Sequence, residues 1–133
     1  MVKFNKIAKE NKSNSDIDLD LVELTVLGYS GDEEDPDGLY TNYSIFYDKK
    51  KIGNVDIKSW DDGSALIDRI DIDKEFRNKG IGTYIISYFS DLYFSCYIVP
   101  DNTDAQRLYA RLGSETTEYP WYGLDQGYGV YKL

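Results

Sequence analysis

The sequence predicts an α+β fold, and three observations carry that prediction. Residues 17–73 are a run of segments that alternate apolar and polar side chains, separated by turn-forming residues. Between Ile81 and Leu92 the apolar spacing lengthens to that of a helix. A short apolar segment, a second helical pattern and two further β-like segments then complete the chain.

Taken in order, residues 17–29 (IDLDLVELTVLGY) alternate and are rich in β-branched side chains, which predicts a strand. Gly31 to Gly38, with five acids and a proline, predicts a loop. Residues 39–48 and 51–58 predict a strand pair closed over Asp48-Lys49-Lys50, with Gly53 a candidate bulge. Asp61-Asp62-Gly63 predicts a hairpin turn into a strand at 64–73. Ile81, Tyr84, Ile85, Tyr88, Phe89 and Leu92 lie on one helical stripe. Residues 95–100 (SCYIVP) predict a short buried strand stopped by proline. Asp101 or Asn102 is placed to cap a second helix with Ala105, Leu108, Tyr109 and Leu112 on its apolar face and Gly113 as its stop. Residues 114–122 and 127–132 predict the last two strands. A helix between the strands at 64–73 and 95–99 makes those two expected parallel neighbours.

The 133 residues suit one domain, with 1–15 as a basic N-terminal segment carrying Lys3, Lys6, Lys9 and Lys12. There is no histidine, which excludes a Ser-His-Asp triad, a Cys-His pair, an imidazole base and a His-bearing metal site. The lone cysteine, Cys96, can form neither an intrachain disulfide nor a thiolate cluster, so no metal is expected. A net charge of -9 argues against nucleic acid as a partner. No run of 18 apolar residues is present and the N-terminus lacks the apolar region of a signal peptide, so the expectation is a cytoplasmic protein without membrane partners.

The segment most suggestive of chemistry is Arg77-Asn78-Lys79-Gly80-Ile81-Gly82-Thr83, between a strand and a helix. A helix start leaves backbone N–H groups without intrahelical partners and carries partial positive charge. Two glycines let phosphate oxygens approach those groups, and Arg77 and Lys79 form a basic island on an acidic chain. Pyrophosphate binding is the predicted chemistry, in competition with a tight turn flanked by solvated charges. The spacing is neither a Walker loop nor a dinucleotide fingerprint.

The segment IDIDKEFRNKGIGTYII resembles motif A of the GCN5-related N-acetyltransferases (GNAT), R/Q-x-x-G-x-G/A after an apolar strand, and VPDNTDAQRLYARLG resembles their motif B. Together they cover residues 64–113 in the family's order. The resemblance implies a mixed, mostly antiparallel sheet of six to seven strands with a splayed parallel pair and flanking helices. It implies acetyl-CoA as acyl donor, its pantetheine arm along the backbone of Ile70, Asp71 and Ile72 and hydrogen-bonded by Asn102. Residues Arg77, Asn78, Lys79, Gly80, Ile81, Gly82 and Thr83 would cradle the pyrophosphate. Tyr109 would be the general acid that protonates the departing thiolate; a core tyrosine with a satisfied hydroxyl is the structural alternative.

Many family members carry a Glu on the strand before motif A, but that place here is Leu66. Asp68, two residues on and so on the same strand face, is the candidate base, with Asp71 and Asp73 on the opposite face. An Arg69-paired or solvated carboxylate is the competing reading. Two features depart from the family: only the loop 30–38 stands where helices usually wall the acceptor pocket, and Ser114 replaces an aromatic. The expected partners are acetyl-CoA and a primary amine (a protein lysine or N-terminus, a polyamine or another small amine), which the acidic loop at Asp32–Asp37 could attract. Trp121 and Tyr122 are placed to line an acceptor surface or a homodimer contact, or simply to pack in a hairpin. A non-catalytic module that binds CoA or a partner protein is the second function these features allow.

Overall fold

In the computed structural model, which describes residues 2–3, 17–32, 35–119 and 128–133, the alternating segments assemble into one eight-stranded sheet. The strands are β1 (Val2–Lys3), β2 (Val22–Asp32), β3 (Asp35–Tyr47), β4 (Lys50–Trp60), β5 (Ser64–Ile72), β6 (Ser95–Ile98), β7 (Ser114–Thr116) and β8 (Val130–Lys132), with helices α1 (Ile81–Leu92) and α2 (Thr103–Leu112). Their order across the sheet is β1-β2-β3-β4-β5-β6-β8-β7. Every neighbouring pair is antiparallel except β5 and β6, which α1 joins as a crossover. The two-residue β1 is the one strand beyond the expected six to seven.

Local chemistry accounts for most boundaries. Asp48 and Lys49 both take positive φ, the two-residue hairpin turn whose twist suits the β3–β4 pair. The strand expected from residue 17 instead starts at Val22, because Asp18 accepts a hydrogen bond from the Asp20 N–H and winds Leu19–Leu21 into a 3-10 turn. The acidic loop is narrower than its turn residues suggest: pairing continues through Gly31↔Leu39 to Asp32↔Asp35. A register shift stands beside Gly53 as expected, leaving Ile52 as the extra residue. Gly53 itself is needed for close approach, since a Cβ there would overlap the Asp71 carbonyl oxygen on β5. The strand expected over 114–122 stops at Thr116, whose hydroxyl exchanges hydrogen bonds with the Glu118 backbone. Trp121 and Tyr122 lie outside the described residues.

The main core lies between one sheet face and α1. Ile81, Tyr84, Ile85 and Phe89 are buried there, each side chain contributing about 1.5–3 kcal/mol by removal from water. Ile86 is buried as well, while Leu92 is 55% exposed: the sheet is broad enough to cover more than one stripe, but the last helical turn projects past it. Burial of Ile81 at the first helical position pins the start of α1 against the sheet. On the opposite sheet face a smaller cluster gathers Leu66, Tyr97 and Val130 under Trp60, Val99 and Tyr119.

Candidate active site

Strands β5 and β6 pair over only four residues, from Ser64↔Ser95 to Ile67↔Ile98. Strand β6 then ends ahead of Pro100, while β5 runs on to Ile72, held on its other side by β4. The two strands therefore part, and a cleft of about 540 Å³ opens between them, lined by Ile67, Asp68, Ile70, Asp71, Ile98, Val99, Asp101 and Tyr109. The Asp73 N–H donates to the carbonyl of Ile52 in β4. By strand alternation the polar main-chain groups of Asp71 also point to β4, and those of Ile70 and Ile72 point into the gap. The Ile72 carbonyl accepts a 2.7 Å bond from Arg77 Nε, which ties the following loop to the strand end.

A bulge interrupts β5 where the strands part. Asp56 pairs with Arg69 and Ile57 with Ile67, so Asp68 is the extra residue. The bulge corrects the facing expected from simple alternation. Leu66, Arg69 and Asp71 stand opposite Lys58, Asp56 and Asn54, alternate residues of an unbroken stretch of β4, so Asp71 lies on the face of Leu66. Arg69 pairs with Asp71 at 2.6 Å and not with Asp68. Among the described residues the Asp68 carboxylate makes no hydrogen bond or ion pair. Its carboxyl is held above the ordinary range, first by lost hydration and then by the neighbouring Asp56, against the opposing pull of Lys58 and Arg69.

Beyond the strand end, the loop turns through two left-handed residues, Asn78 (φ 59°) and Gly80 (φ 87°), into α1. The first bond of the helix runs from Tyr84 N–H to Gly80 C=O, and no side chain caps this end. The N–H groups of Ile81, Gly82 and Thr83 are thus left over, as the geometry of a helix start requires. Gly80 needs its glycine for positive φ. Gly82 does not: a Cβ there would meet only Ile72 Cδ1 at 3.6 Å, an ordinary contact. A glycine in a helix that the fold does not require sacrifices about 1 kcal/mol of helix propensity, which is consistent with close approach of a ligand.

A second cleft of about 640 Å³ lies over these amides and is lined by Arg77, Asn78, Gly80, Gly82 and Thr83 together with Asn102, Ala105, Leu108 and Arg111 from α2. Lys79 and Ile81 do not line it; the Ile81 side chain is in the core. Asn102 is the cap of α2: its Oδ1 accepts from Ala105 N–H and its Nδ2 donates to Asp101, both at 2.8 Å, so its side chain holds the helix start rather than standing free for the pantetheine arm as the resemblance implied. The uncapped start of α1 and two guanidinium groups thus border one cleft, whose one carboxylate, Asp104, is paired with Arg107; this arrangement is fitted to a polyphosphate. Sequence reasoning missed Arg111. Its signal was its place one helical turn beyond Arg107, whose own charge is directed to Asp104.

Tyr109 projects from α2 into the first cleft. Its ring packs against the main core, and among the described residues its hydroxyl has no hydrogen-bond partner. Burial, then the nearby Asp101 carboxylate, pushes the phenol above its usual range, so it is protonated at neutral pH. Cys96 is buried and its thiol is pushed up to about 12, which leaves it inert as a nucleophile. Among the described residues no three His, Cys, Asp or Glu side chains gather to hold a metal ion.

A third cleft, of about 410 Å³, crosses the strands on the other side of Asp68. It is lined by Gly28, Tyr29 and Ser30 of β2, Tyr40, Thr41 and Asn42 of β3, Asp56 of β4 and Asp68 itself. Asp68 therefore stands between this cleft and the one that holds Tyr109. The direct β2–β3 hairpin leaves it open where helices would otherwise form a wall.

A family model described as the acetyltransferase (GNAT) family matches residues 4–114. A search of the curated proteins gives no match. Among solved structures, a GNAT family acetyltransferase from Staphylococcus aureus Mu50 aligns with a TM-score of 0.55 at 17% identity, over 70% of this chain and 66% of that one. A GNAT family acetyltransferase from Elizabethkingia anophelis with acetyl-CoA bound aligns at 0.50 and 19% identity, over 85% of this chain and 94% of that one. At these identities the likeness establishes the fold, including the expected mixed sheet with one parallel pair. The chain spans about two thirds of the length of the Staphylococcus aureus structure.

Proposed function

Since the chain belongs to the GNAT acetyltransferase family, we propose that it binds acetyl-CoA across the first two clefts, whose linings adjoin at Asp71–Ile72 and Asp101–Asn102, and transfers the acetyl group to a primary amine by direct attack in a ternary complex. One observation carries this reading. The uncapped start of α1, the gap between β5 and β6, and an unpaired carboxylate and hydroxyl (Asp68 and Tyr109) follow one another along one side of the sheet. The uncapped amides and the glycine at position 82 fit the diphosphate, and the inward-facing main chain of Ile70 suits the amides of a pantetheine arm.

When bound, acetyl-CoA supplies a thioester whose C–S bond breaks as the amine nitrogen forms the new C–N bond. The side chains of this protein manage the protons. A cationic amine arriving from the third cleft meets Asp68, which takes its proton and leaves the nitrogen lone pair free to attack. A carboxyl raised toward neutrality is better matched to that task than an ordinary one. Tyr109 gives its hydroxyl proton to the departing sulfur and regains one from solvent, as Asp68 returns its own. The main-chain N–H groups at the start of α1 and the Arg77 and Arg111 guanidinium groups hold the phosphates and so fix the thioester at the gap. Transfer through a cysteine thioester has no support, given the buried Cys96.

The open third cleft favours one second reading, a module that binds CoA without transferring its acyl group. Calorimetric titration with acetyl-CoA, followed by a thiol-release assay over a panel of primary amines, separates the two. Binding followed by amine-dependent thiol release supports transfer; binding without release on any amine supports the module, and absence of binding removes both.

A further inference from the structure

The third cleft has two carboxylates, and their placement specifies more than a single amine. Asp56 and Asp68 lie on neighbouring strands, Asp56 beside the bulge that carries Asp68. Side chains so placed stand about 5–7 Å apart. Asn42 Nδ2 donates to Asp56 Oδ1, which fixes that carboxylate in the wall of the cleft. Lys58, the cation that acts most on Asp68, keeps its ammonium 5.3 Å from the centres of the Tyr40 and Trp60 rings. The cleft continues across β3 to β2, where Tyr29 is 66% exposed. Its walls are two carboxylates at one end and aromatic surface toward the other.

We infer that the acceptor is a linear amine with two cationic nitrogens three or four methylenes apart, the reacting one at Asp68 and the other held by Asp56. At ~1.2 Å of extension per bond, four or five bonds place the nitrogens about 5–6 Å apart, which matches the carboxylate spacing. Asp56 touches only the second cation and is a specificity-determining residue. Asn42 positions it. The methylene chain spans the gap between the two carboxylates; the Tyr40 ring already faces the Lys58 ammonium, so only a chain extending beyond the second nitrogen would reach aromatic surface, at the exposed Tyr29. This inference rests on the acetyl-transfer reading and names its substrate class.

The experiment compares acetylation of 1,4-diaminobutane and 1-aminobutane, which share a carbon chain and differ in the second cation. The expected result is a kcat/KM at least tenfold higher for the diamine, with the difference in KM. In Asp56→Asn the ratio falls toward one, and in Asn42→Ala it falls part of the way. Acetyl-CoA affinity, measured in parallel, shows that each variant is folded; if Asp56→Asn does not fold, the wild-type ratio and Asn42→Ala still decide. Turnover of both amines at a ratio near one, or a ratio unchanged in the folded variants, overturns the inference and leaves acetyl transfer standing. Acetyl-CoA binding without turnover of any primary amine overturns both.

Discussion

Replacing Gly80 by Glu tests the diphosphate site most directly, because its effects separate into two parts. Gly80 has φ 87° and a Cβ there would meet nothing within 4 Å, so the side chain would enter the cleft without a steric clash in the free protein. The first part is conformational: a residue with a Cβ in the left-handed region loses about 1–2 kcal/mol of stability, and alanine suffers it equally. The second is electrostatic. A carboxylate about 6 Å from a diphosphate carrying two charges, at an effective dielectric near 40, opposes binding by about 3 kcal/mol, or about 100-fold in Kd. Calorimetry with acetyl-CoA should therefore show Gly80→Glu binding far more weakly than Gly80→Ala, while thermal unfolding shows similar losses of stability for both. The gap between the two affinities should narrow as salt rises, since the site opens to solvent. Equal affinities for the two variants, or a gap indifferent to salt, would refute the placement of the diphosphate at these amides.

Four further outcomes are expected. Tyr109→Phe should retain acetyl-CoA affinity and lower kcat by about 100-fold or more, the usual scale for a lost general acid; an unchanged kcat removes Tyr109 from that role. The raised carboxyl of Asp68, faced by Asp56 and Lys58 of β4 and Arg69 of β5, is ionised only at higher pH than an ordinary aspartate. In wild type kcat/KM should accordingly climb with pH through that raised range, and Asp68→Asn should abolish the climb. The same shift means that the folded state holds the proton more tightly than the unfolded one, so stability falls as pH rises from the ordinary Asp value through the raised one. Asp68→Asn should therefore unfold at a slightly higher temperature at neutral pH, and a lower one would contradict the shift. Gly53→Ala should cost about 1–3 kcal/mol in denaturant unfolding, because its Cβ must push Asp71 away; an unaffected midpoint would show that β4 and β5 are free to separate there.

The proposed donor half of the site sits on local structure, and the proposed acceptor half on long-range register. Arg77 to Thr83 are consecutive, and their geometry follows from a strand end, two left-handed residues and a helix start. Asn102 and Tyr109 share one helix and keep their spacing wherever it packs. The third cleft, by contrast, draws on four strands, and no residue of it is near another in sequence except within its own strand. That is why motif reading could name the glycine loop, Asn102 and Tyr109, named Asp68 only by counting along a strand, and passed over Asp56, Asn42 and Arg111.

Periodicity and turn chemistry, properties of neighbouring residues, were enough to determine the α+β class, both helices, the hairpin at Asp48-Lys49, the parallel return of β6 and the glycine-bearing start of α1. Only the tertiary structure decided the bulge at Asp68, the face on which Asp71 lies, the point after Ile67 at which β5 parts from β6, and the exclusion of Leu92 from the core. Each of these depends on how one strand or helix registers against another that is distant in the chain. A one-residue slip changes the face of every following side chain without altering the pattern of either segment.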